Sequence, residues 1–176
     1  MDTNEPMPGL LAEAPPEGVV GAVDHTATDR IVLALMNRAR AQSGLHAYKP
    51  HPSLAQAAQA HAAWMAANER MDHYGPGRTT WADRCRAAGY PGANLSTIGE
   101  NVAGWQTSPE QAFGDWMGSS GHRRAILHPQ FVHAATASAT GRSGRSYWCT
   151  NFGFGAPDVA EPVQDPHFFF HRHQDA

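Results

Sequence analysis

The sequence is poor in cysteine, in charged residues and in long apolar runs. Its two cysteines are Cys85 and Cys149, too few for a disulfide-stapled scaffold or a cysteine-rich zinc module. No apolar run approaches the roughly 20 residues that a membrane-spanning helix needs. Thirteen Lys and Arg stand against 16 Asp and Glu, so the positive excess of a nucleic-acid binder is also missing. These shortages argue against a transmembrane protein and against a nucleic-acid partner.

The start of the chain lacks the features of a secretory signal. Residues 1–24 contain no Lys or Arg and several acidic residues and prolines, whereas a signal has a positive segment followed by an apolar one. We therefore predict a flexible acidic leader over residues 1–25 and a second tail over residues 156–176. Two interpretations stay open: the protein remains inside the cell, or a signal was removed from it.

Residues 26–155 are predicted to form the folded domain, because 41% of the chain is hydrophobic and can build a core. Apolar residues at helical spacing, with capping and stop signals, predict five helices. They cover residues 28–42, a stretch that begins near 52 and includes 65, and residues 80–88, 109–117 and 121–127.

The last part of this domain has the pattern of strands. Residues 133–140 and 146–152, joined by the turn 141–144, predict an antiparallel hairpin, and residues 98–105 can supply a third strand. Because the helices come first and the hairpin last, an α+β fold is favoured over a doubly wound parallel sheet.

Several short polar residues stand where helices are predicted to begin. Ser108 is followed by a proline and, three residues on, by Gln111, which is a capping box with proline at the first helical position. Either of two threonines, Thr26 or Thr28, can cap the first helix. Ser119 or Ser120 can cap the last one.

Three residues stand out as candidates for chemistry: His73, Glu100 and His122. Each has a glycine within two positions, which lets backbone approach closely and lets a side chain face a cavity. Two imidazoles and one carboxylate can bind zinc and leave a position for water. The same groups can instead form a metal-free network of hydrogen bonds. Another histidine, His61, lies on an apolar helical face and is predicted to be a buried, hydrogen-bonded residue rather than a ligand.

The two cysteines allow more than one interpretation. Cys85 and Cys149 can be buried free thiols or can form one disulfide. A nucleophilic thiolate would need a lowered pKa and a neighbouring histidine. The sequence leaves these alternatives open.

Six segments, in the same order along the chain, resemble the CAP superfamily, also called the SCP-like or cysteine-rich secretory protein fold, and especially its small bacterial members. Ile98–Ala103 contains the Gly-Glu-Asn motif of the family, and Trp116–Leu127 contains its Gly-His-Arg motif. The other similar segments are residues 36–45, 54–65, 71–90 and 147–153. The resemblance covers about residues 28–155 and implies a three-layer α-β-α sandwich around a small central antiparallel sheet.

The resemblance also implies a central cavity. Many relatives hold two histidines and two acidic residues there, and some bind a divalent metal. His73, Glu100 and His122 match three of these positions, which makes them the candidate ligands for Zn²⁺ or another divalent cation. The second acidic residue is missing, since its position falls near Ser119.

Two aspartates are close enough in sequence to substitute for that missing acid. Asp115 comes four residues before Ser119, and Asp72 directly precedes His73.

Three functional hypotheses follow. The first is a binding or interaction module for a small molecule, a lipid or a protein partner, at an extracellular or envelope-exposed site, as the resemblance implies. The second is a metal-dependent hydrolase in which His73 and His122 bind the metal and Glu100 is a ligand or general base. The third is a structural domain whose polar cavity only specifies the fold. A cytoplasmic location also remains open.

Overall fold

The computed structural model describes residues 25–155, so the predicted leader and the tail 156–176 lie outside the described residues. The helices are α1 His25–Gln42, α2 Pro52–Ala67, α3 Trp81–Ala87, α4 Pro109–Gly118 and α5 Ser120–Ile126, with a short 3-10 turn at Pro76–Arg78. The strands are β1 Ile98–Gly104, β2 His133–Thr140 and β3 Ser146–Gly153. The predicted order of helices and strands is confirmed. Within residues 25–155, no helix is both long and apolar enough to cross a membrane.

The three strands form one antiparallel sheet with the order β1-β3-β2. The central strand β3 pairs with both neighbours, and its Asn151 lies opposite Glu100 on one side and Ala135 on the other. The α+β prediction is therefore confirmed, since the hairpin 133–153 receives its third strand from the segment around the Gly-Glu-Asn motif.

The sheet carries a helical layer on each face, because alternate side chains of a strand point to opposite sides. One face packs against α2, where Val102 and Cys149 contact Met65 and its alanine-rich neighbours. The other face packs against α1, α4 and α5. Its core contains Met36, Ala103, Trp116, Ile126, Trp148 and Phe152. These three layers form the α-β-α sandwich that the family resemblance implied.

The start of α4 confirms the predicted cap but not the full capping box. The Ser108 hydroxyl accepts a hydrogen bond from the Gln111 N–H at 3.1 Å, and Pro109 is the first helical residue. The Gln111 side chain, however, accepts from the N–H of Thr107 at 2.8 Å. In a full capping box the Gln111 side chain would accept from the N–H of Ser108 itself, so this bond is shifted by one residue.

Of the two other predicted caps, that of α1 is wrong and that of α5 is right only in its position. Helix α1 begins at His25, so Thr28 lies inside the helix and is buried rather than capping it. Ser119 stands at the start of α5 but its side chain makes no capping hydrogen bond. The Asp29 carboxylate accepts a hydrogen bond from the Thr136 N–H at 2.8 Å, which fastens α1 to β2.

Candidate functional site

The structure brings His73 and Glu100 together. His73 lies in the loop after α2 and Glu100 lies on β1, with 2.9 Å between Nδ1 and Oε1. Because a carboxylate can only accept, the imidazole Nδ1 donates this hydrogen bond. The Glu100 side chain is 1% exposed and that of His73 is 42% exposed. The pair thus connects a buried acid to an accessible ring whose Nε2 remains for a ligand.

Arg84 completes this site from α3. Its Nη2 lies 2.6 Å from Glu100 Oε2, and its side chain is 10% exposed. The same guanidinium donates to the main-chain carbonyls of His73 at 3.0 Å and of Thr79 at 2.9 Å. Sequence reasoning missed Arg84, although a buried carboxylate needs a cationic partner and α3 follows directly after the His73 loop.

Opposing influences act on the Glu100 carboxyl. Burial raises its pKa, but the hydrogen bond from His73 and the charge of Arg84 lower it by more, so the pKa lies below its ordinary value. Glu100 is therefore an ionised, hydrogen-bonded carboxylate rather than a protonated acid. That state suits it to hold neighbouring groups in place, and it argues against a general-acid role.

His61 lies beside this site in the interior. Its Nε2 donates to the Asp72 carbonyl at 2.7 Å, which confirms the prediction of a buried, hydrogen-bonded histidine. Burial lowers its pKa, and the charge of Arg84 adds to the effect. A Cβ added at Gly75 would lie 3.7 Å from His61 Nδ1 and 3.3 Å from Arg84 Nη1. Gly75 therefore lets the loop approach both side chains closely.

His122 does not join His73 and Glu100 in a group able to hold a metal. It lies on α5, and its main-chain carbonyl accepts from Asn101 Nδ2 at 3.1 Å. Since Asn101 and Glu100 are consecutive strand residues, α5 packs against the face opposite to Glu100. Across residues 25–155, no group of three or more His, Cys, Asp or Glu residues can hold an ion. The structure thus brings two of the three predicted residues into contact, and a metal site made of all three stays a prediction.

Neither candidate for the missing acid is available as a free carboxylate. Asp115 accepts from the Gln106 amide at 2.9 Å. Asp72 accepts from the Tyr74 N–H at 3.0 Å and forms an ion pair with Arg70.

The remaining donor set does not fit a divalent cation. One oxygen of Glu100 is bound to His73 and the other to Arg84, and the guanidinium already supplies the positive charge. Metal binding by the predicted residues therefore stays a prediction, to be decided by titration.

The cysteines are free and buried in the structure, not bonded to each other. Cys149 Sγ donates to Glu100 Oε2 at 3.4 Å. Burial raises the pKa of the Cys149 thiol well above its ordinary value, and the charge of Glu100 adds to this. Burial likewise raises the pKa of Cys85 to about 12. Of the interpretations left open, buried thiols describe this structure, and protonated thiols are poor nucleophiles.

Three exposed apolar side chains lie in the His73 loop or on the segment that meets it, and we call Met71, Tyr74 and Trp105 the apolar rim. Met71 and Tyr74 flank His73 in its loop, while Trp105 follows β1. A Cβ on Gly104 would lie 3.6 Å from Met71 Sδ, so the two segments meet. Trp105 has φ of 78°, a left-handed conformation that costs energy for a large side chain.

Solved structures share this fold. The chain superposes on an extracellular SCP-domain protein of Bacillus anthracis with a TM-score of 0.64 and 22% identity, covering 73% of this chain and 41% of that one. An outer surface protein of Borrelia burgdorferi gives a TM-score of 0.64 at 16% identity, covering 74% and 95%. Venom allergen-like protein 4 of Schistosoma mansoni gives 0.54 at 14% identity, covering 77% and 96%.

Sequence comparison is more specific. The chain is 32% identical over 108 residues to the uncharacterized protein YkwD of Bacillus subtilis, which covers 61% of this chain but only 41% of YkwD. Residues 33–152 match the sequence profile of CAP, the cysteine-rich secretory protein family. This match spans both motif segments and every strand up to Phe152. The chain therefore belongs to the CAP family.

Proposed function

We propose that this CAP domain is a binding module for a small amphipathic ligand. The recess of His73, Glu100 and Arg84 receives the polar end of the ligand, and the apolar rim contacts its hydrocarbon part. Lipids and long-chain fatty acids have this chemistry.

One observation carries the proposal: the described residues expose five large hydrophobic side chains. Three of them form the apolar rim, two in the His73 loop and one directly after Gly104, which that loop approaches. Large exposed apolar groups gathered at one place are typical of binding sites, whereas scattered ones need no explanation. The left-handed Trp105 adds support, because backbone strain concentrates at ligand sites.

The polar end of the ligand is recognised through His73. Glu100 and Arg84 have each other as partners and are nearly buried, so their charges are compensated without a ligand. The Nδ1 of His73 is fixed by Glu100, which sets the ring orientation and presents Nε2 to an incoming hydroxyl or carboxylate. Such a pre-organised contact lowers the entropic cost of binding.

The other hypotheses receive less support. A metal-dependent hydrolase needs a ligand set, and the described residues assemble no group of three suitable side chains. A purely structural domain would not require an accessible His73 or an exposed, strained Trp105. We propose that the module works outside the cell or on the envelope, since two of the similar structures are described as an extracellular and an outer surface protein.

Direct fluorescence titration with cis-parinaric acid, a fluorescent fatty acid, tests this function. The key variant is Trp105→Gly, because glycine tolerates the φ of 78° and should leave stability unchanged or raised. We expect wild type to bind the probe, and Trp105→Gly and Met71→Ser to raise the Kd by about tenfold each.

Leu95→Ser is the matched control. Leu95 is another exposed large hydrophobic residue. It precedes β1, so it lies near the end of the strand opposite to Trp105. It should keep the wild-type Kd. Equal loss of binding in Leu95→Ser and Trp105→Gly, or no binding by wild type, would favour the structural hypothesis over the binding module.

A further inference from the structure

We infer that Arg84 is the resident cation of this recess, in the place where a divalent metal ion would otherwise bind Glu100. The wild-type recess then needs no metal, and removing the guanidinium opens a latent metal site centred on Glu100. This inference concerns the buried floor of the recess and does not depend on which ligand the apolar rim takes.

The geometry would place the two cations close together on one carboxylate. Arg84 Nη2 lies 2.6 Å from Glu100 Oε2, whereas a bound zinc ion would stand roughly 2.0–2.2 Å from a carboxylate oxygen. An ion at that oxygen would lie no more than about 5 Å from the guanidinium nitrogen. Like charges at such a distance repel strongly in a buried environment.

The guanidinium is also held there by the loop. It donates to the main-chain carbonyls of Thr79 and His73, so its position does not depend on Glu100 alone. Its helix is fixed in turn by a full capping box between Thr80 and Asp83. Arg84 is thus pre-positioned at the carboxylate, as a fixed charge rather than an exchangeable ion.

Two potential metal ligands contact the Glu100 carboxylate, although with Arg84 in place the described residues form no group of three that can hold an ion. Cys149 Sγ lies 3.4 Å from the same Oε2, and His73 Nδ1 lies 2.9 Å from the other oxygen. Thiol, imidazole and carboxylate are the groups that bind zinc. With Arg84 present they form hydrogen bonds, and with Arg84 removed they surround an uncompensated negative charge.

Zinc titration by calorimetry, together with thermal unfolding, tests the inference. Wild type should show no one-to-one complex that depends on Glu100. Arg84→Met, which keeps much of the side-chain volume, should bind one Zn²⁺ with a Kd lower by roughly a hundredfold or more. Its Tm should rise on adding zinc, since the ion binds only the folded state.

Two controls separate this site from zinc binding by other histidines. Arg84→Met/Glu100→Gln should lose the gained site. Arg86→Met removes another arginine from the same helix, one that bonds the Ala93 carbonyl, and should behave as wild type. A one-to-one zinc complex of wild type that Glu100→Gln abolishes would overturn the inference, as would a folded Arg84→Met without added affinity. If Arg84→Met does not fold, the wild-type zinc titration alone tests the inference, and a one-to-one complex that depends on Glu100 overturns it.

Discussion

Glu100 and Asn101 are neighbours on β1, yet their side chains bind opposite helical layers. The Glu100 carboxylate accepts from Arg84 of α3 at 2.6 Å, while the Asn101 amide donates to the main-chain carbonyl of His122 in α5 at 3.1 Å. Both side chains are buried. Two consecutive residues of the Gly-Glu-Asn motif therefore tie the sheet to a helix on each face, and Glu100 also contacts His73.

Replacing Glu100 by glutamine should destabilise the fold strongly. The isosteric change leaves Arg84, which is only 10% exposed, without its counter-charge. Breaking one partner of a buried ion pair costs about 3–5 kcal/mol. We expect the free energy of unfolding, measured by urea denaturation at neutral pH, to fall by this order for Glu100→Gln.

The matched control is Glu110→Gln, at an exposed position in the first turn of α4. It should change stability by no more than about 0.5 kcal/mol, the usual range for a surface substitution. A loss for Glu100→Gln as small as that of Glu110→Gln would mean that the ion pair is solvated and contributes nothing.

Arg40→Lys tests a second buried cation. The Arg40 side chain is fully buried and lies 3.8 Å from the Tyr48 ring centre. It donates to main-chain carbonyls of two segments, the loop after α1 and residues 126–131. Its bonds include His46 at 2.7 Å, His128 at 2.8 Å and Ile126 at 3.0 Å. A lysine cannot reproduce this planar fork, so we expect a loss on the order of 3 kcal/mol in urea denaturation.

Arg38→Lys provides the comparison, since Arg38 is on the same helix but exposed. It should be nearly neutral. Equal stabilities of the two lysine variants would show that the carbonyl contacts of Arg40 are not responsible for holding α1 against the segment 126–131.

Local signals in the sequence were sufficient to predict the helices and strands, but they did not predict the functional site. Pro52, Ser108 and the turn 141–144 each fix a boundary through nearest-neighbour chemistry, and all three agree with the structure. The start of α1 was misplaced because Thr28, a good capping residue, is instead buried within the helix. Intrinsic capping preference is a weak signal where tertiary packing competes with it.

The site depends on contacts between distant segments, which spacing alone does not specify. His73 and Glu100 are 27 positions apart and Arg84 and Glu100 are 16 apart. The family resemblance pointed to His73 and Glu100 but not to Arg84. It also grouped His122 with Glu100, although α5 packs on the opposite face of the sheet. Strand alternation places Glu100 on one face, yet only the three-dimensional packing of α3 shows which cation meets it.

Removing the cap of α4 should have a small, local cost. The Ser108 hydroxyl accepts from the Gln111 N–H at 3.1 Å, and Ser108→Ala leaves that donor without its partner. We expect a loss of roughly 1 kcal/mol in the free energy of unfolding. Ser96→Ala, at an exposed loop position, should be neutral. Indistinguishable thermal unfolding of the two variants would show that Pro109 alone defines the helix start.

Stability should decrease in mild acid because several histidines are held neutral by the fold. Burial lowers the pKa of His51, and burial together with the nearby His51 and Lys49 lowers that of His133. The two rings lie 5.0 Å apart between centroids. The unfolded chain therefore binds more protons than the folded one below about pH 6.5. Stability is fully present above that pH and is lost as the pH falls through it.

His51 offers a specific test, because its Nδ1 accepts from the Ser53 N–H at 3.2 Å and caps α2. Protonation of the ring removes this acceptor. Asparagine caps helices without titrating in this range, so His51→Asn should lose less stability than wild type between pH 7.5 and pH 5 in urea denaturation series. The two proteins should be similar at pH 7.5 and differ progressively below about pH 6.5. Parallel pH profiles would show that His51 stays neutral throughout, or that its cap contributes nothing to folding.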